Sequence, residues 1–63
     1  MWKWKIQIRP TDFLVVTFET EDRMAAGAFI VNHVPHMPWN DIDRVLSSVA
    51  YGGNGVLVER EMR

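Results

Sequence analysis

Trp2, Trp4, Ile6 and Ile8 alternate with Lys3, Lys5, Gln7 and Arg9 at the head of the chain. A period of two puts the apolar set on one face of a strand and the basic set on the other. Pro10, Thr11 and Asp12 follow. Proline presets φ for a turn, and aspartate bonds neighbouring backbone. The next segment, Phe13-Leu14-Val15-Val16-Thr17-Phe18, is β-branched and aromatic, so the pair reads as a hairpin. The second strand differs from the first. Leu14, Val16 and Phe18 share one face, but Phe13 and Val15 on the other are apolar too. Strands covered on both faces read this way. The expectation is a central strand, or one whose outer face meets another chain.

Thr20-Glu21-Asp22 has the chemistry of a helix start. A threonine can cap the free N–H groups, and two acids suit the positive end of the dipole. Met24 to Val31 is then apolar all round, as in a helix buried on most sides, with small residues that allow close approach. Phe29-Ile30-Val31 would also suit a short strand; the capping signal favours helix. Two prolines, Pro35 and Pro38, forbid regular structure in the connection that follows. Trp39, Ile42, Val45, Leu46 and Val49 recur at helical spacing opposite Asp41, Asp43, Arg44, Ser47 and Ser48. The glycines of Tyr51-Gly52-Gly53-Asn54-Gly55 should end that helix. Val56-Leu57-Val58-Glu59-Arg60-Glu61 reads as a last strand with a charged end.

These elements give an α+β fold over residues 1–63: a small three-stranded antiparallel sheet, in the order β-β-α-α-β, with both helices on one face. Composition adds limits. Sixty-three residues make a single domain. A chain this short buries only ~60% of its unfolded surface, so its core is marginal. Small domains compensate with disulfides, metals or association. Cysteine is absent, which removes disulfides and thiolate zinc sites and suits a reducing, cytoplasmic setting. That leaves regular packing or a partner, and with the two-sided second strand it points to a homodimer. Neither a membrane-spanning apolar run nor the apolar stretch of a signal peptide is present. The expectation is a short, complete gene product with no membrane association.

Chemistry is sparse. His33 and His36 form H-x-x-H near Asp41 and Asp43, but in a proline-rich loop with no third ligand fixed, so they read as surface histidines, with no metal and no cofactor. The glycine run follows a helix and precedes a strand, the reverse of a phosphate-binding loop. Ser47 and Ser48 have no nearby histidine in sequence to activate them. A chain of this size also has little room for a water-excluding pocket of a few hundred Å3. The chain reads as non-enzymatic.

Binding is what remains. Net charge is −1, from seven Lys and Arg against eight Asp and Glu, neither the excess of a dedicated nucleic-acid binder nor that of a phosphate mimic. Lys3, Lys5 and Arg9 could touch phosphates, but Trp2 and Trp4 alternate away from them, so that face lacks stacking rings. Glu59 and Glu61 would offset the lysines if the first and last strands are neighbours. Three Trp, three Phe and one Tyr are too many rings for so small a core to enclose. Exposed rings beside Met or Arg make interface hot spots. The candidates for protein binding are Trp2, Phe13, Val15, Met37 and Trp39. A protein-binding module is therefore the leading expectation, with a small nucleic-acid-binding regulator using Lys3, Lys5 and Arg9 as the alternative. Size and the absence of catalytic chemistry suit a phage or mobile-element inhibitor of a host machine, such as a CRISPR effector or RNA polymerase.

Overall fold

Strand β1 (Trp2–Thr11) lies between two antiparallel neighbours. The computed structural model describes residues 1–53 and 55–62. On one side β1 pairs with β2 (Leu14–Thr20), with Ile6 opposite Phe18 and Ile8 opposite Val16. On the other it pairs with β4 (Val56–Met62), with Ile6 opposite Val58 and Ile8 opposite Val56. β3 (Ala50–Gly53) flanks β4 and closes a four-stranded sheet in the order β2-β1-β4-β3. Helices α1 (Arg23–His33) and α2 (Trp39–Ser47) connect β2 to β3. α1 packs on β1 and β2, and α2 packs on β4.

The core follows from the alternation of β1. Trp4, Ile6 and Ile8 are buried with Val56 and Val58 of β4, Ala26 and Ile30 of α1, and Ile42, Val45 and Leu46 of α2. Among the described residues no polar or charged residue is buried. The Trp4 indole donates from Nε1 to the Leu46 carbonyl at 2.8 Å. Carbonyls in the last turn of a helix have no partner within the helix. One bond thus satisfies the buried indole and ties the central strand to the end of α2.

Several expectations are corrected. The sheet has four strands, not three, and the element order is β-β-α-α-β-β. Ala50-Tyr51-Gly52-Gly53 is a strand where a helix cap was expected, and α2 stops earlier, at Ser47. Val49, outside the helix, is exposed. Gly53 pairs with Val56, and Gly55, at φ 77°, serves the turn between β3 and β4. The second strand is an edge, not a centre, and the lysine-bearing first strand takes the central place beside β4. Asp22, not Thr20, is the N-cap of α1, its carboxylate accepting from the Met24 N–H at 2.9 Å. Thr20, two residues earlier at the end of β2, accepts from the Asp22 N–H at 3.0 Å. Both expected acids thus lie outside the first turn. α1 continues through Phe29-Ile30-Val31, as the capping chemistry favoured.

Two substitutions test this packing. Leu46→Ala removes a buried side chain and should cost ~2–5 kcal/mol, much of the ~5 kcal/mol at the low end of small-domain stability. A side chain at Gly55 meets both its positive φ and the Arg9 carbonyl, 3.1 Å from where a Cβ would sit. Gly55→Ala should therefore cost ~1–2 kcal/mol for the left-handed backbone alone. Urea denaturation checks both, and midpoints equal to the parent's would contradict the packing described.

Candidate functional site

β1 carries Lys3, Lys5, Gln7 and Arg9 on the face that bears no helix, so the basic residues stand in the middle of an open sheet. The register surrounds two of them with acid. Lys5 is opposite Glu19 on β2 and Glu59 on β4, and Lys3 is opposite Glu61. The Lys3 Nζ lies 3.9 Å from Glu19, diagonally across the ladder. Solvent-exposed pairs of this kind contribute ~0–1 kcal/mol each. Their larger consequence is that the field of each lysine is offset within a strand spacing. The expected neighbouring of first and last strands is what brings this about.

Toward the other end of the same face the residues turn apolar. Gln7, Arg9, Val15, Leu57, Gly52 and Gly53 line an open depression of about 350 Å3. Val15 and Leu57 are exposed there, and the glycines add no side chain to its wall. Arg9 stands in this apolar half, away from the two lysines.

The protein-binding candidates do not converge on one patch. Phe13, in the turn between β1 and β2, is 99% exposed. Val15 follows on the helix-free face of β2, 48% exposed. Trp39 begins α2 and is 58% exposed, with one ring edge against Gly27 of α1. Met37 precedes it and is half-buried against the core. Trp2 lies on the helix-side face at the far end of β1, paired with Met62. The Arg60 guanidinium stacks on its ring, 3.7 Å from the centroid.

Three features escaped the sequence reading. Arg60 reads as part of the charged end of the last strand, but a period of two from Val56 and Val58 puts it on the helix-side face, where the Trp2 ring covers it. Leu14 is 51% exposed although it belongs by alternation with Val16 and Phe18, because the pairing of β1 and β2 shifts between Ile8 and Thr11. Met24, in the first turn of α1, is 77% exposed, as an all-apolar helix on a one-sided sheet must leave some side chain. On the same helix Phe29 stacks on Phe18 of β2, ring centroids 5.0 Å apart. His33 tilts against Phe29 and its Nδ1 lies 2.9 Å from the Phe29 carbonyl. His36 belongs to the connection beside Asp41. Among the described residues no three His, Asp or Glu side chains come together as a metal site. No helix there is long and apolar enough to cross a membrane.

Comparison with protein-family models, curated proteins and solved structures finds no match for this chain.

The charge arrangement generates a direct expectation. Lys5→Gln should cost less than ~1 kcal/mol, since exposed pairs contribute little. Lys5→Glu sets three acids in a row across β2, β1 and β4 and should cost more. The gap between the two variants should shrink at about 1 M salt, where the Debye length is ~3 Å. Thermal denaturation of both at low and high salt measures it, and a gap independent of salt would contradict the electrostatic account.

Proposed function

We propose that this chain is a non-catalytic protein-binding module. The observation that carries the proposal is the run Phe13-Leu14-Val15, three consecutive apolar residues that span the end of the turn and the start of the edge strand β2, each about half exposed or more. Isolated exposed apolar residues are ordinary, but a run of them beside an unpaired strand edge is a feature of interaction surfaces. Trp39 is a second aromatic of the kind that anchors interfaces. Blocking a larger machine, such as a polymerase or a CRISPR effector, is one task such a module could perform.

The nucleic-acid reading has a specific observation of its own, Lys3, Lys5 and Arg9 projecting from one open sheet face. Two observations weigh against it. Glu19, Glu59 and Glu61 flank the lysines, and the aromatic side chains of β1 lie on the opposite face. Single-stranded nucleic acid is held by positive grooves joined to stacking rings, and among the described residues the lysine face lacks that combination.

Co-purification from the native host, with the parent and Phe13→Ala in parallel, tests the proposal. Phe13 is almost fully exposed, so its truncation should leave stability within ~0.5 kcal/mol of the parent. If Phe13 is an anchor, its loss should weaken a recovered protein complex by ~2 kcal/mol or more. Joint replacement of Lys3, Lys5 and Arg9 by Gln should leave that complex within about tenfold, because rim charges act mainly on association rate. Binding of the parent to random-sequence DNA or RNA at physiological salt, abolished by the triple replacement, would overturn the proposal.

A further inference from the structure

The unpaired edge of β2 has a self-complementary sequence. In an antiparallel pair of two β2 strands related by a twofold axis through Val16, Leu14 faces Phe18 of the other copy, Val15 faces Thr17, and Val16 faces Val16. All five positions of the pairing, Leu14 to Phe18, meet an apolar or β-branched residue, and both sheet faces stay consistent. Aromatic, aliphatic and β-branched pairs of this kind are the favoured cross-strand partners. The register also keeps charge out: Glu19 falls beyond the paired segment. Moving the axis to Thr17 would instead set Glu19 against Val15, and moving it to Phe18 would set Glu19 against Thr17.

The rest of that side of the molecule permits the approach. Exposed edges are normally blunted by charge, above all lysine, by proline or by shortness, and the one charge of β2, Glu19, lies outside the five positions of this pairing. β2 has neither lysine nor proline in its seven residues, whereas the opposite edge, β3, is only four residues long and half glycine. α1 lies over β2, and its Arg23 and Gly27 face α2, through Asp43 and Trp39 respectively. At 100° per residue, Ala25, Phe29 and Asn32 then lie on the flank turned away from α2, toward the β2 edge. Phe29 is already stacked on Phe18 there. A twofold normal to the sheet would bring this flank of α1 toward its mate, and the alanine leaves room for it.

We infer that β2 is a strand-addition site whose occupant is a second copy of this chain, joined antiparallel about Val16 into a continuous eight-stranded sheet. The inference rests on the protein-binding reading and names the partner for its edge. It leaves Trp39, at the start of α2, outside the paired strands and open to a different protein.

The test is a charge exchange at the two exposed positions of β2 that the register sets opposite one another. Val15→Lys with Thr17→Lys places lysines across the twofold from lysines; Val15→Glu with Thr17→Glu does the same with acids. Both positions are exposed, so the monomer should keep its circular dichroism spectrum. Sedimentation equilibrium at micromolar concentration should find the parent dimeric, each double variant monomeric, and the equimolar mixture of the two dimeric again. A monomeric parent, or folded double variants that remain dimeric alone, would overturn the self-pairing. A monomeric parent that still co-purifies with a protein lost on Phe13→Ala would overturn the self-pairing while leaving the protein-binding reading in place. Nucleic-acid binding that depends on Lys3, Lys5 and Arg9 would overturn that reading, whereas the sedimentation result alone decides the self-pairing.

Discussion

Everything in this fold depends on the position of β1 between two neighbours. A central strand must satisfy both flanks with one alternating sequence. Trp4, Ile6 and Ile8 do so on the helix side, where Phe18 and Val16 meet them from β2 and Val58 and Val56 from β4. The same alternation leaves Lys3 and Lys5 on the open side, where the flanking strands supply Glu19, Glu59 and Glu61. A one-residue slip of either neighbour would turn apolar side chains to water and glutamates to the core, so the register is strongly specified. The indole of Trp4 then fixes the helical layer to the sheet, because its N–H reaches a carbonyl that α2 cannot satisfy itself.

With the centre determined, the unsettled chemistry is displaced to the periphery. Sixty-three residues can bury one face of a four-stranded sheet, and among the described residues ten form the core against it. Side chains beyond that number must stay at the surface. Their distribution is uneven. The acid-flanked half of the open face is nearly neutral and polar, while exposed apolar residues gather at the turn and start of β2. An edge without lysine or proline and the exposed apolar residues beside it thus lie on the same side of the molecule.

Much of the centre was legible in the sequence because it is local. The alternation of β1 and the spacing of Ile42, Val45 and Leu46 each lie within a dozen residues, and each element formed as its period required. Strand order is not local. An apolar pattern on both faces of β2 is compatible with a central strand and with an edge that meets a partner, and nothing between residues 13 and 18 separates the two. β3 was missed for another reason: Ala50, Gly52 and Gly53 bring almost no side chain, so its strand state comes from pairing with β4. The signal that could have found it is Asn54-Gly55 between two short segments, a strong hairpin cue that was absorbed into a helix cap. Among the candidate residues, Phe13 and Trp39 emerged exposed because a turn and a helix start place them there. Trp2 did not stand free, since Arg60 arrives on its ring from a strand 58 residues away in sequence.

Amide hydrogen exchange along β2, followed residue by residue at a dilute and a concentrated setting, tests the central claim most directly. The account predicts that alternate amides between Leu14 and Phe18, those not bonded to β1, exchange fast in dilute solution and slow on concentration. Amides from Trp4 to Ile8 of β1 and from Val56 to Glu59 of β4, flanked by strands on both sides, should keep their protection at both concentrations, and the β3 edge should not respond. Protection along β2 that is uniform and independent of concentration, or a concentration response confined to β3 or α2, would contradict it.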